Sequence, residues 1–162
     1  MSDTPSLTLI ETAPTDPRAI ACLEQYYAEL ARRFETGFDV HLSADPEATA
    51  MMPPRGSFLI AARGETLLGC VGLKGTDKGY AEVKRLWVSP EARGLGLARR
   101  LMEALETRAL ALGHDVLRLD SNSILTEAIA MYRKWQWTEI DRFNDDPYPD
   151  VFFEKRLGPA LP

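Results

Sequence analysis

No apolar run in the 162-residue chain approaches the ~20 residues that cross a bilayer as a helix, so no membrane partner is expected. The first residues, Met1-Ser2-Asp3-Thr4-Pro5, lack both the basic start and the apolar centre of a signal peptide, and the cytoplasm is the expected location. Cysteine is scarce. Cys22 falls in a helical pattern and Cys70 in an apolar strand pattern, so both read as buried free thiols rather than a disulfide or a catalytic thiol. His41 and His114 stand apart from any cysteine or carboxylate spacing that ligates an ion, so no metal is expected. Positive charge is in deficit, 19 Lys and Arg against 24 Asp and Glu for a net −5. That leaves no basic stripe to displace counterions from a nucleic-acid backbone. Internal repeats, low-complexity tracts and linkers are also missing, and the length suits one domain, 1–162, with a core of its own.

What is present begins with a short strand, Leu7 to Ile10, and a helix started by Asp16-Pro17, an acceptor at the cap and proline in the first turn. Ile20, Leu23, Tyr27, Leu30 and Phe34 recur at intervals of three and four, which predicts one buried stripe on a helix ending before Gly37. Residues 37–56 carry Asp39, Ser43, Asp45, Pro46, Pro53, Pro54 and Gly56 and read as a loop with one helical turn near Pro46 to Met52. Long loops in compact domains commonly serve function, so this one is a candidate lid. Phe58 to Ile60 and Leu67 to Val71 predict a hairpin through Arg63-Gly64-Glu65-Thr66. After the polar stretch Gly75 to Gly79, Tyr80 opens a further strand. A helix from about Gly94 to Leu112 carries Leu97, Leu101, Leu105 and Leu112 on one face and stops at Gly113. Strand 116–120, helix 125–135 and strands near Trp137 to Phe143 and Val151 to Glu154 complete the order, which predicts a mixed α/β fold.

The densest signal is Val83 to Leu105, VKRLWVSPEARGLGLARRLMEAL: a strand, a break at Ser89-Pro90, then a glycine-bearing turn that opens a helix. The leading N–H groups of a helix have no internal partner and carry partial positive charge, so such a turn cradles phosphate oxygens. Spacing separates the families that use it. No Gly-Lys-Ser/Thr follows Gly96, which argues against a P-loop. Ser89 to Ala92 intervene before the glycines, and Arg99 stands where a dinucleotide fold wants a third small residue. What remains is Arg-x-x-Gly-x-Ala, formed by Arg93, Gly96 and Ala98 with an extra Gly94. Leu86-Trp87-Val88 precedes it, Val116 to Leu119 follows the helix, and Ala128-Ile129-Ala130-Met131-Tyr132 lies on the next helix. In this order the segment resembles the acyl-CoA pyrophosphate loop of the GNAT superfamily of N-acyltransferases, a likeness covering roughly residues 57 to 157. The chain departs from the family at Gln136-Trp137, where members usually show Gly-Phe or Gly-Tyr, and at Leu125, where an asparagine is often found.

The resemblance implies a central mixed, mostly antiparallel twisted sheet flanked by helices and splayed at the acyl-CoA site. It implies transfer of acetyl from acetyl-CoA to a primary amine of a small molecule by direct attack, without a covalent enzyme intermediate. Arg93, Gly94, Leu95, Gly96, Leu97, Ala98 and Arg99 would hold the pyrophosphate. Leu86, Trp87 and Val88 would offer main-chain groups to the pantetheine arm, with the Val88 N–H as oxyanion donor, and Asn122 is the candidate to stand in for the asparagine replaced by Leu125. An alkyl ammonium has a pKa near ~10.4, so a carboxylate must take its proton at neutral pH. Glu82, at the head of the central strand, falls where the family often carries that base; the alternative is a salt-bridged strand-end glutamate. Tyr132 matches the residue that protonates the departing thiolate; the alternative is a core aromatic, since Leu125, Ala128, Ile129 and Tyr132 share one helix face. Lys84 should share a strand face with Glu82, and Arg85 should take the other. A charged side chain in a central strand asks for a partner, either an internal carboxylate or a substrate anion. On the second alternative one of the cations near the cleft, Lys84 and Arg85 of the strand or Arg55 from the loop, would bind a carboxylate on the amine, with Lys84 and Arg55 the first choices. Family members commonly form homodimers. Other functions left open are a non-catalytic acyl-CoA-binding or regulatory domain, acetylation of a protein lysine or N-terminus, and a nucleotide-binding enzyme with a divergent glycine loop.

Overall fold

A computed structural model describes residues 6–33 and 48–158 of the protein. Among them, seven strands form one sheet: β1 (Leu7–Glu11), β2 (Ser57–Arg63), β3 (Thr66–Gly75), β4 (Ala81–Val88), β5 (Val116–Ser121), β6 (Thr138–Ile140) and β7 (Val151–Arg156). Their order is β1-β2-β3-β4-β5-β7-β6, and β4–β5 is the parallel pair in an otherwise antiparallel ladder. Three helices flank it, α1 (Pro17–Arg33), α2 (Leu97–Ala111) and α3 (Thr126–Lys134), with short 3-10 turns at Ala48–Met51 and Pro90–Ala92. The mixed, mostly antiparallel sheet expected from the sequence is therefore present. So is the hairpin: Arg63 lies opposite Thr66, and Gly64 takes the positive φ that its tight turn requires.

Each face of the sheet has its own core. On one, Leu59, Val71, Leu73 and Val83 pack under Leu97, Leu101 and Leu105 of α2 and Ile129 and Tyr132 of α3. On the other, Phe58, Ile60, Cys70 and Trp87 pack under Ala19 and Cys22 of α1 and Met51. Full burial of side chains such as Leu101, Leu105 and Phe58 contributes about 1.5–3 kcal/mol each and fixes which way the sheet faces. The two cysteines are free thiols buried in the second core, with Cys22 Sγ 3.8 Å from the Gly69 carbonyl and Cys70 Sγ 3.4 Å from the Arg85 carbonyl.

Three elements differ from their expected form, and a fourth lies mostly outside the described residues. The buried face of α1 is Ala19, Cys22 and Leu30, with Leu23 and Tyr26 packed beside it. Ile20 is 44% exposed. The inner face is turned by about one residue because small Ala19 and Cys22 let the helix approach Gly69, and small residues do not register as hydrophobic periodicity. Phe34 and residues 34–47, most of the expected lid, lie outside the described residues. Helix α2 begins at Leu97 rather than Gly94, since Gly94 and Gly96 are left-handed, φ 83 and 77. Strand β6 is Thr138–Ile140 rather than Trp137 to Phe143. Beyond it Arg142 donates to the carbonyls of Asn144, Asp146 and Pro149 and folds the β6–β7 loop onto itself.

The decisive irregularity is in β4. Gly72 lies opposite Lys84 and Cys70 opposite Trp87, so Val71 alone faces both Arg85 and Leu86. Arg85 is the extra residue of a β-bulge, held at φ 60, a left-handed conformation that costs a non-glycine residue about 1–3 kcal/mol. One extra residue reverses the alternation. Ala81 and Val83 face the α2 core, yet Trp87 faces the α1 core while Leu86 and Val88 pack toward α2. Past Glu82, ahead of the bulge, β4 also loses β5: the two strands pair only at Ala81–Leu117 and Glu82–Arg118, while β5 stays with β7 along its length. A gap opens between them.

Candidate active site

A cavity of about 790 Å³ occupies this gap and its α1 side, lined by Tyr26, Tyr27 and Leu30 of α1, by Glu82 to Leu86, by Leu119 to Asn122, and by Leu125, Ala128 and Tyr132. The β6–β7 loop, Phe143 to Pro149, closes one wall. The chamber thus reaches both faces of the sheet through the place where the ladder is interrupted.

Glu82 is buried at the head of β4. Its two oxygens lie 4.0 Å from the ammonium groups of Lys74 and Lys84. Lys84 is also 3.6 Å from Asp120 Oδ2, which accepts a 2.7 Å hydrogen bond from the Asn144 amide. The partner that Lys84 requires is therefore internal: two carboxylates flank it. Burial works to push the Lys84 ammonium down, but the charges of Asp120, Glu82 and Asp146 outweigh it and hold the group above its usual value. Lys84 is accordingly not a free cation for a substrate anion, contrary to one of the two sequence alternatives.

Tyr132 lines the cavity from α3 while its ring packs edge-on to Trp137 at 6.0 Å and tilted against Phe153 at 5.8 Å. The core and cavity readings of this residue are both true of its position. Burial, with the nearby Asp120 charge, pushes its phenol up. Across the chamber Tyr26 is pushed up likewise, by burial first and then by the neighbouring Tyr27, Asp120 and Tyr132, with Arg85 acting in the opposite sense.

At the far end of β4 the main chain prepares two kinds of donor. Ser89 donates to the Leu68 carbonyl at 2.8 Å, so in the alternating antiparallel pattern Val88, opposite Gly69, turns its N–H and C=O away from β3 and toward the gap. The Val88 carbonyl accepts from Arg93 Nε at 3.0 Å. Trp87 is different. It sits in a hydrogen-bonding position opposite Cys70, so its main chain serves the β3 ladder and is not available to a ligand in the gap, which corrects the expectation that it joins Leu86 and Val88 there. Next comes the glycine turn. No side chain caps α2, its first turn holds no acid, and the first backbone bond into the turn is from Arg100 to Gly96. The N–H groups of Leu97, Ala98 and Arg99 are thus left for an anion, and this set of donors fits a diphosphate.

Some expected contacts are already engaged. The Arg93 guanidinium is bonded to the Glu29 carboxylate of α1 as well as to Val88, so it ties the turn to α1. Arg99 pairs with Glu103 at 3.0 Å, and Leu95 is 68% exposed at the tip. Asn122 donates to the Tyr148 carbonyl and accepts from the Ile124 N–H at 2.9 Å, which pins the end of β5 to the β6–β7 loop. Arg55 is exposed at the chamber mouth, with its carbonyl 2.8 Å from His114 Nε2. Sequence reasoning missed Lys74, Asp120 and Tyr26. Asp120 carried a signal, being the first acid after the alternating Leu117 and Leu119 at the carboxyl end of a parallel strand, where ligands gather. Among the described residues no three His, Cys, Asp or Glu side chains are grouped to hold an ion, and no helix is long and apolar enough to cross a membrane.

Comparison with known proteins agrees with this geometry. The Acetyltransferase (GNAT) family pattern matches residues 9–136. A protein of Azospirillum brasilense named IAA acetyltransferase is 32% identical over 158 residues, covering 94% of this chain and 99% of that protein. Among solved structures, an acetyltransferase of the GNAT family from Staphylococcus aureus superposes with a TM-score of 0.83 at 17% identity, covering 94% of this chain and 100% of that one. The yncA structure from Salmonella typhimurium, determined with its cofactor acetyl-CoA, superposes with a TM-score of 0.67 at 17% identity over 97% of both chains.

Proposed function

This chain belongs to the GNAT family of acetyltransferases, and from that premise we propose that it acetylates the primary amine of a small molecule, with Glu82 as base and Tyr132 as acid. The observation that carries the reading is that Glu82 and Tyr132 line one chamber running through the β4–β5 gap. Acetyl-CoA supplies the activated acyl group as a thioester. The N–H groups of Leu97, Ala98 and Arg99 would hold its pyrophosphate, and the main chain of Leu86 and Val88 its pantetheine arm. Val88 turns its N–H toward the gap, where it would supply a donor for the acyl oxygen. Glu82, directly or through water, takes a proton from the ammonium form of the acceptor. Tyr132, kept protonated by burial, is the donor for the departing sulfur. Most of the cavity's walls are side chains of α1, β4, β5 and the β6–β7 loop, a chamber scaled to a small acceptor.

Release of free CoA from acetyl-CoA in the presence of pooled amino acids, polyamines, aminoglycosides and peptides tests the reading. Turnover is expected with small amines. Glu82→Gln should lower the rate mainly at neutral and lower pH, with recovery as the pH approaches ~10 and the amine loses its own proton. A protein that binds CoA and turns over no amine would be a binding domain instead.

A further inference from the structure

The cations that line the chamber are not equivalent. Lys74 and Lys84 lie against Glu82 and Asp120, while Arg55 and Lys78 are exposed at the mouth. Arg85 is half-buried, and among the described residues its guanidinium meets no carboxylate; the nearest polar contact is Met51 Sδ at 4.0 Å. A half-buried guanidinium with no counter-ion is unfavourable unless a ligand completes it. Its backbone is also strained, at φ 60, and the strain has a result: the bulge turns the side chain to the Met51 side of β4, the side of Glu82 and Lys84, instead of the α2 core that strict alternation would give it. Tyr26 feels the charges of both Arg85 and Asp120, so the guanidinium belongs to the same electrostatic compartment as the carboxylates of the chamber.

Resting on the acetyltransfer reading above, we infer that Arg85 is the anchor for an anionic group on the acceptor, and that the acceptor is an amine bearing a carboxylate. The planar guanidinium matches a carboxylate through two parallel hydrogen bonds, a geometry an ammonium cannot offer. Along β4, Glu82 and Arg85 are three residues apart, roughly 10 Å between Cα atoms at the usual strand rise. Both line the chamber from the same strand, so a zwitterion lying along β4 can set its ammonium at Glu82 and its carboxylate at Arg85. The diphosphate cradle is not a competing partner, since Gly94 lies nine residues further along the chain, beyond Val88 and the Pro90–Ala92 turn.

The test is a set of initial rates with acetyl-CoA on amino acids and short ω-amino acids, each against its own carboxamide, in wild type, Arg85→Gln and Arg85→Gly. Glycine accepts the left-handed φ, so the second variant keeps the test valid if the first does not fold. In wild type the best acid should exceed its amide by about tenfold or more in kcat/KM, and in both variants that ratio should fall below about three. A second readout does not need turnover: the acid, and not the amide, should raise the Tm of the CoA-bound protein, and this difference should vanish in both variants. Equal use of acid and amide, best activity on spermidine or lysine peptides, or a preference unchanged in the variants would overturn the assignment of Arg85. Absence of turnover on every amine with CoA binding intact overturns the acetyltransfer reading instead, and the Tm comparison then decides Arg85 separately.

Discussion

Tyr132 combines two demands in one side chain. Its ring completes the α2-side core against Trp137 and Phe153, and the same burial keeps its hydroxyl protonated at any physiological pH. Tyr132→Phe keeps the packing and deletes only the donor. The expected outcome is a fall in kcat of roughly ten- to a thousand-fold with acetyl-CoA affinity nearly unchanged, measured by steady-state kinetics beside calorimetric binding. Wild-type turnover in the variant would leave Tyr132 a core aromatic. At this scale the sequence exposed residues embedded in a spaced motif and hid those that are not. That Glu82 and Tyr132 line one chamber was legible because the glycine turn between them sets their offsets. Lys84 was legible as a charge in need of a partner, but the identity of that partner was not, because Asp120 comes from a strand 36 positions away with no pattern of its own. Arg85 was misassigned to the opposite face because period-two counting assumes a regular pleat.

Among the elements, the glycine turn and the helix after it were readable because left-handed glycines and an uncapped N-terminus follow from local chemistry. Gly96 and Gly113 bracket α2 in similar backbone conformations, φ 77 and 93, and a Cβ at either would meet nothing within 4 Å. Valine at either position should therefore cost about 1–2 kcal/mol in backbone strain and lower the Tm. Only Gly96→Val should also weaken acetyl-CoA binding, by about tenfold or more, because only there must a ligand approach the main chain. Equal cofactor affinity in the two folded variants would remove the turn from the site. The departure at Gln136 has a structural counterpart. Helix α3 closes with Gln136 donating to Arg133 and Trp137 donating to Tyr132, the same double closure that Gly113 and His114 give α2, and Gln136 holds φ 67 without the freedom of glycine. The face of α1 was less legible, since apolar spacing weights large side chains while alanine and cysteine decide how closely a helix can approach a sheet.

For the molecule as a whole, three groups walling the chamber share one pH dependence. Lys84, Tyr26 and Tyr132 are all held above their ordinary values. The unfolded chain, with ordinary values near ~10 for tyrosine and ~10.4 for lysine, therefore loses these protons first as pH rises. Their contribution to stability is complete below pH ~10 and is lost progressively above it. Urea midpoints should hold level from pH 8 to about 10 and fall above it, more steeply in wild type than in Tyr26→Phe and Tyr132→Phe; parallel slopes above pH ~10 would show that the chamber does not hold these protons. The sheet's mixed architecture was readable from the order of elements, whereas the splay of β4 from β5 is a property of two strands in space and has no expression in either alone.

The surplus residue in β4 also governs how this chain can change in length. Loss of Arg85 would restore an unbroken pleat in which Leu86 stands opposite Val71, and Leu86, Trp87 and Val88 would keep the sides of the sheet that they occupy now. A deletion there would leave both cores in place and take a guanidinium out of the chamber, whereas a one-residue change elsewhere in β4, with no bulge to absorb it, exchanges inside for outside until the strand ends. Within Ala81–Val88 the bulge is thus the one place where the residue count can change without repacking the sheet, and what that count decides there is how many charged side chains face the chamber.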